Sequence, residues 1–215
     1  MQKVVVIANG DIGNMEFCRR QINEKDYIIC ADGGLRHALA MGICPHLVMG
    51  DGDSLSAGLR WELERLYLEL QRFPKIDQEE SDLEMALNHA VTLEPEEIVI
   101  YGALGGRRAD HAFVNILLLS IPFNRGIPTK IIDGQQEIQL MEKELRIAGR
   151  KGDWLSLFAL TAEVSGVTTW GLQYPLSGET LYFASSRGLS NRFTGTAARV
   201  TSEAGRLLVI KNSTW

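Results

Sequence analysis

The chain has 215 residues, 45% hydrophobic and 23% charged, which suits an ordinary globular protein of one large domain or two small ones. Its 27 acidic residues outnumber its 22 basic ones, and the net charge of −5 argues against a large basic nucleic-acid surface. No apolar run approaches the roughly 20 residues of a membrane span, and Val4 to Ala8 is too short for a signal-peptide core. Cys18, Cys30 and Cys44 form no C-x-x-C pair and sit in apolar or helical surroundings, so buried free thiols in a cytoplasmic protein are expected.

Lys3 to Ala8 is a β-branched run, the mark of a strand buried on both faces. Asn9-Gly10-Asp11-Ile12-Gly13 then turns the chain into a helix over Met15 to Ile22. Tyr27 to Ala31 reads as a second buried strand ending in Asp32-Gly33-Gly34, with a short helix over Leu35 to Met41. His46 to Met49 reads as a third strand. Strand, glycine-bearing turn and helix repeat, which predicts a parallel α/β sheet with its ligand site beyond the carboxyl ends of the strands.

The third strand runs into Gly50-Asp51-Gly52-Asp53-Ser54. Asp51 and Asp53 stand two apart and so leave an extended segment on the same side. Two carboxylates so placed repel unless a cation lies between them. Mg²⁺ with a nucleotide's phosphates suits the pair, because Mg²⁺ sites typically combine one or two carboxylates with phosphate oxygens. A solvated turn is the alternative, since Asp and Gly are ordinary turn residues.

Leu59 to Leu70 carries leucines at helical spacing and predicts an amphipathic packing helix. Ser81 and Glu84 form a capping box that opens a helix facing the core with Leu83, Ala86, Leu87, Ala90 and Val91. The helix dipole accounts for Asp82 in the first turn, but leaves Asp77 and Gln78 just upstream unexplained. Glu97 to Tyr101 is the next strand. It leads into Gly102-Ala103-Leu104-Gly105-Gly106-Arg107-Arg108-Ala109-Asp110-His111 and a helix over Ala112 to Leu119. Glycines, two arginines and a helix N-terminus together make a phosphate cradle. Asp110 is either the helix N-cap or a ligand, and His111 reads first as an ordinary residue of the opening turn.

Between Pro122 and Pro128 the texture changes, and short strand-like runs follow: Thr129 to Asp133, Glu137 to Leu140, Trp154 to Leu160, Glu163 to Val167, Thr180 to Phe183, Ala197 to Thr201 and Leu207 to Ile210. An α/β domain over residues 1–128 followed by a β-sandwich over 129–215 is the expectation, with the boundary in the Gly126–Gly134 stretch. Within the β part, Val167 to Leu176 and Ser190 to Gly195 mix glycines, hydroxyls, an amide and aromatics. That mixture fits a pocket for a flat heterocycle, although in isolation hairpin turns with core aromatics are the commoner source of it.

Taken in order, Ala31-Asp32-Gly33-Gly34, Gly50-Asp51-x-Asp53-Ser54, Asp77-Gln78-x-x-Ser81-Asp82, the Gly-Gly-Arg…Asp-His segment, Gly166-Val167-Thr168-Thr169-x-Gly171-Leu172-x-Tyr174 and Ser190-Asn191 resemble the thiamine pyrophosphokinase family. The resemblance implies an α/β nucleotide domain followed by a β-sandwich, in homodimers with active sites between subunits. It also implies transfer of the β,γ-diphosphate of ATP to the hydroxyl of thiamine, giving thiamine diphosphate and AMP. By the same resemblance Asp51, Asp53 and Asp82 would hold Mg²⁺, with Asp110 supporting the chemistry. Asp32, Gly33, Arg108 and His111 would border ATP, and Asp77, Gln78, Ser81, Tyr174, Ser190 and Asn191 would border thiamine. The chain departs from the family pattern at Gly52, where an aromatic is usual, and at Leu35-Arg36, where Ala-Asn is common. Its Gly-Gly-Arg segment is one residue longer, which leaves Arg107 and Arg108 as alternatives.

Two other functions use the same parts. One is an Asp-x-Asp, Mg²⁺-dependent glycosyl- or nucleotidyltransferase, which the Gly166–Tyr174 and Ser190-Asn191 segments disfavour. The other is a sensor with a dead site, which has no need to keep so many repelling carboxylates.

Overall fold

The computed structural model describes residues 3–66, 70–71, 80–106 and 108–214. Two compact units divide the sequence between Gly134 and Gln135.

In the first unit the β-branched runs form strands where the sequence predicts them: β1 (Lys3–Ile7), β2 (Tyr27–Ala31), β3 (Leu47–Met49) and β5 (Glu97–Tyr101). With β4 (Leu70–Gln71) and β6 (Thr129–Asp133) they line up in the order β6-β5-β1-β2-β3-β4, every pairing parallel. Thr129–Asp133, read from the sequence as the start of the β-rich part, pairs with β5 and extends this sheet.

Alternate residues bury opposite faces. Val5, Ile7, Ile28, Cys30, Val48 and Val99 share one cluster with Cys18 of α1 (Met15–Gln21), Leu35 and Ala38 of α2 (Leu35–Ala40), and Leu63 of α3 (Ala57–Arg65). Val4, Val6, Ile29, Met49, Ile98 and Ile100 are buried as well. α4 (Asp82–Thr92), none of whose buried residues belong to that cluster, packs against β1, β2 and β3. Burial raises the Cys18 thiol to about 11 and pushes Cys30 up further, so both stay protonated and inert, whereas Cys44, expected to be buried too, is exposed.

Three local expectations are corrected. α3 starts at Ala57 behind the Ser56 cap and ends at Arg65, so Leu70 is not on it; Leu70 pairs with Val48 as an edge strand. Leucine spacing alone does not mark where a helix stops. α5 (Ala109–Leu117) begins three residues earlier than predicted, and Arg108 rather than Asp110 occupies its N-cap position. A short α6 (Ser120–Phe123) follows. The Ser81 half of the predicted capping box forms, the hydroxyl accepting from the Glu84 N–H at 3.2 Å.

The second unit is a β-sandwich. One layer orders β12-β9-β14-β7 (Asn191–Arg192, Trp154–Ala159, Leu207–Asn212, Gln136–Met141). The other orders β11-β10-β13-β8 (Glu179–Tyr182, Glu163–Trp170, Ala197–Thr201, Glu144–Ala148). Pairing within each layer is antiparallel, and one core draws Met141, Leu155, Leu157 and Val209 from the first layer and Ile147, Val164, Leu181 and Val200 from the second. Among the described residues no helix is long and apolar enough to cross a membrane.

Candidate active site

The carboxyl ends of β1, β2, β3 and β5 carry the turns singled out in the sequence. At the end of β2, Asp32 is buried with φ +42, a left-handed conformation costly for a residue with a Cβ. Its Oδ2 accepts the Ser54 N–H at 3.1 Å, which ties the β2 turn to the β3 turn. Its Oδ1 is buried and has no hydrogen-bond partner among the described residues.

After β3, Asp51 Oδ1 accepts the Asp53 N–H at 2.7 Å, and Asp53 Oδ1 accepts from the Ser54 hydroxyl at 3.1 Å. Asp32, Asp51 and Asp53 each bring one oxygen to within 4.8 Å of the others. Gly50, at φ +147, lets the α4 acid approach: a Cβ there would lie 2.8 Å from the Asp32 Cβ and 3.0 Å from an Asp82 carboxylate oxygen. Of the sequence-derived trio, Asp51 and Asp53 cluster with Asp32, while an Asp82 carboxylate oxygen lies against Gly50 beside them. Convergent carboxylate oxygens, one of them buried without a partner, form a donor set suited to a hard divalent cation. The residues present fit such an ion.

Two supports lie outside the residues the sequence singled out. Arg60 of α3 donates Nη2 to the Gly52 carbonyl and Nε to the Leu55 carbonyl at 3.2 Å, so a helix read as packing alone also braces the acidic turn. Asp11 Oδ2 accepts the Gly106 N–H at 2.9 Å and fastens the β1 turn to the glycine loop after β5. No local pattern marks either residue, because each acts across a distance the sequence does not display. The β1 turn is held from α2 as well: Arg36 Nη2 donates to the Asn9 carbonyl and His37 Nε2 to the Gly10 carbonyl, both at 2.7 Å. Gly33 lies against the Asn9 side chain.

In the glycine loop, Asn115 of α5 donates to the Ala103 carbonyl at 2.7 Å. Arg108 grips Asp110 through Nε and Nη2, and this exposed pair holds the Asp110 carboxyl well below the usual range. His111 is exposed in the first turn of α5. The Ser81 hydroxyl serves as the α4 cap. Asp77, Gln78 and Arg107 lie outside the described residues.

In the second unit the two heterocycle-like segments lie side by side. The Thr194 N–H donates to the Gly171 carbonyl, the Gln173 N–H to the Arg192 carbonyl, and Leu172 bridges Phe193. Tyr174 stands exposed beside this ladder, and the Asn191 amide bonds its backbone. Ser190 adopts φ +60, and its N–H donates to the Ser156 hydroxyl at 3.1 Å. Arg192 stacks on Trp154, its guanidinium carbon 3.9 Å from the ring centroid.

Residues 18–131 match the family model described as thiamin pyrophosphokinase, catalytic domain, and residues 135–207 match thiamin pyrophosphokinase, vitamin B1 binding domain. The chain is 26% identical over 216 residues to the thiamine pyrophosphokinase of Bacillus subtilis (strain 168), covering 99% of this chain and 100% of that protein. The crystal structure of thiamine pyrophosphokinase from Bacillus subtilis superimposes with a TM-score of 0.90 at 26% identity, covering both chains completely. A thiamin pyrophosphokinase family protein from Enterococcus faecalis gives 0.83 at 26% identity, again over both whole chains.

Proposed function

The chain belongs to the thiamin pyrophosphokinase family, and from that premise we infer how its residues move the β,γ-diphosphate of ATP onto the hydroxyl of thiamine, releasing AMP. Asp51, Asp53 and Asp82, with Asp32 behind them, are the residues to hold Mg²⁺. The observation that carries this is the buried Oδ1 of Asp32, without a partner among the described residues, in the carboxylate cluster. When bound, the ion offsets phosphate charge.

The glycine loop offers backbone N–H groups to the phosphates, and Arg108 turns from Asp110 toward them, leaving Asp110 to support from the first turn of α5. Asp32, Gly33 and His111 border the nucleotide. The residues assigned to thiamine are Asp77, Gln78 and Ser81 in the first unit's sequence and Tyr174, Ser190 and Asn191 in the second's, with Tyr174 as the stacking ring. The thiamine oxygen attacks the β-phosphorus in line, the bond to the α-phosphate oxygen breaks with its electron pair leaving on AMP, and the hydroxyl proton passes to a carboxylate of the cluster. Such transition states are mostly loose, so positioning and charge neutralisation outweigh base strength. That agrees with a site built from aspartates and backbone amides.

The same reading includes a homodimer in the cytoplasm. The exposed Phe113, Val114 and Leu117 of α5 are consistent with a covered face, and free thiols, two buried and Cys44 exposed, with a reducing compartment. Calorimetric titration of Mg²⁺ into the protein with a non-hydrolysable ATP analogue tests the metal assignment. Asp51→Asn is expected to lose that binding and to cut turnover by about 10²-fold or more while staying folded. Wild-type binding and near-normal turnover in that variant would refute it.

A further inference from the structure

The sequence resemblance sets Asn191 against the substrate, but one N–H of the Asn191 amide and both acceptor positions of its oxygen are already taken by backbone. Nδ2 donates to the Tyr174 carbonyl at 2.6 Å, and Oδ1 accepts the Tyr174 N–H at 3.0 Å and the Arg192 N–H at 2.9 Å. A backbone N–H only donates and a carbonyl only accepts, so these partners fix which end of the amide is which. One side chain thus takes both backbone groups of a single residue, imitating a strand partner where the ladder between residues 171–173 and 192–194 runs out.

The residue so clasped carries an exposed ring. A tyrosine at a loop end, free to turn about its backbone, gives up part of any stacking energy to the cost of ordering it. Fixing φ and ψ at Tyr174 removes that cost before a ligand arrives. On the side chain itself, Gln173 Nε2 donates to the Tyr174 hydroxyl at 3.2 Å, which steadies the tip of an exposed ring.

We propose that Asn191 is a positioning residue that sets the Tyr174 ring for thiamine, rather than a donor to thiamine itself. This rests on the reading that Tyr174 stacks on the substrate, and the test separates the two claims. The measured quantities are the thiamine KM, kcat and the hydrogen-exchange rate of the Tyr174 amide in wild type, Asn191→Ala, Tyr174→Ala and the double variant. Tyr174→Ala is expected to raise the thiamine KM about tenfold and Asn191→Ala about fivefold, with kcat and the KM for ATP little changed. Because Asn191 acts through the ring, adding Asn191→Ala to Tyr174→Ala is expected to raise KM no further. The Tyr174 amide, protected in wild type, is expected to exchange faster in Asn191→Ala, a readout that needs no substrate.

Independent, multiplicative effects on KM would make Asn191 a direct contact and overturn the proposal. So would faster amide exchange with an unchanged thiamine KM. If Tyr174→Ala alone leaves KM unaltered, the stacking role fails and the proposal with it. Asn191→Asp keeps the acceptor and loses the donor, and carries the same cycle if the alanine variant does not fold.

Discussion

The carboxylate of Asp11 accepts the backbone N–H of Gly106, 95 residues further along the chain, at 2.9 Å. Both Gly105 and Gly106 have φ near +80, so the loop they form has few conformational restraints of its own. The Asp11 bond at one end and Asn115 at the other hold it in one shape. Asp11→Ala is therefore expected to raise the KM for ATP about tenfold with little change in the KM for thiamine. Asp11→Asn, which keeps an acceptor oxygen, is expected to stay close to wild type. Steady-state kinetics against each substrate in turn check this; equal losses in both variants would mean that charge, not the bond, matters.

Gly50 keeps the acid cluster together by leaving room. Adding a Cβ at φ +147 forces it against Asp32 and Asp82. Gly50→Ala is expected to cost about 1–3 kcal/mol of stability from backbone strain. Its Mg²⁺ affinity falls more than its nucleotide affinity, measured by calorimetry at a temperature where the variant is folded.

His37 gives the fold a pH dependence. Burial lowers its pKa below the ordinary 6.5; the bond to the Gly10 carbonyl opposes that, nearby Arg36 adds to it and Asp11 counters it. The unfolded chain takes up a proton as pH falls through about 6.5, whereas folded His37 resists it until lower pH. Its share of stability is present above 6.5 and is lost on acidification from there to its depressed folded value. Urea midpoints between pH 7.5 and 5 are expected to fall for wild type and to fall less steeply for His37→Gln, which keeps a donor for Gly10 without the titration.

Asp153 fastens the end of the described chain to the sandwich. Burial alone raises its carboxyl, but bonds from the Thr214 N–H and the Arg150 N–H, both at 2.8 Å, and from the Thr214 hydroxyl bring it below the usual value. Its contribution is therefore present at neutral pH and lost only as pH falls through that depressed value. Asp153→Ala is expected to cost about 1–3 kcal/mol by stranding these donors, read as a lower urea midpoint at pH 7.

Local patterns made much of this molecule legible. The β-branched runs of β1, β2 and β5 are buried on both faces, and the Ser81 box caps α4 as its spacing requires. The acidic turns after β2 and β3 converge because parallel strands carry their carboxyl ends to one edge. What escaped the sequence is nonlocal. β8 alternates Glu144 and Arg146 with Leu145 and Ile147, and its charges disguised a strand whose Glu144 pairs with Arg199 of β13. The resemblance sets Asn191 beside thiamine, and only folding reveals the backbone it clasps. Arg60 and Asp11 reach their carbonyls and N–H groups across loops, with no residue spacing to announce them.

The most direct measurement is the product ratio when the purified protein is mixed with ATP, Mg²⁺ and thiamine. Diphosphate transfer predicts AMP and thiamine diphosphate in equal amounts, with no ADP. ADP with thiamine monophosphate, or AMP that forms equally fast without thiamine, would contradict it.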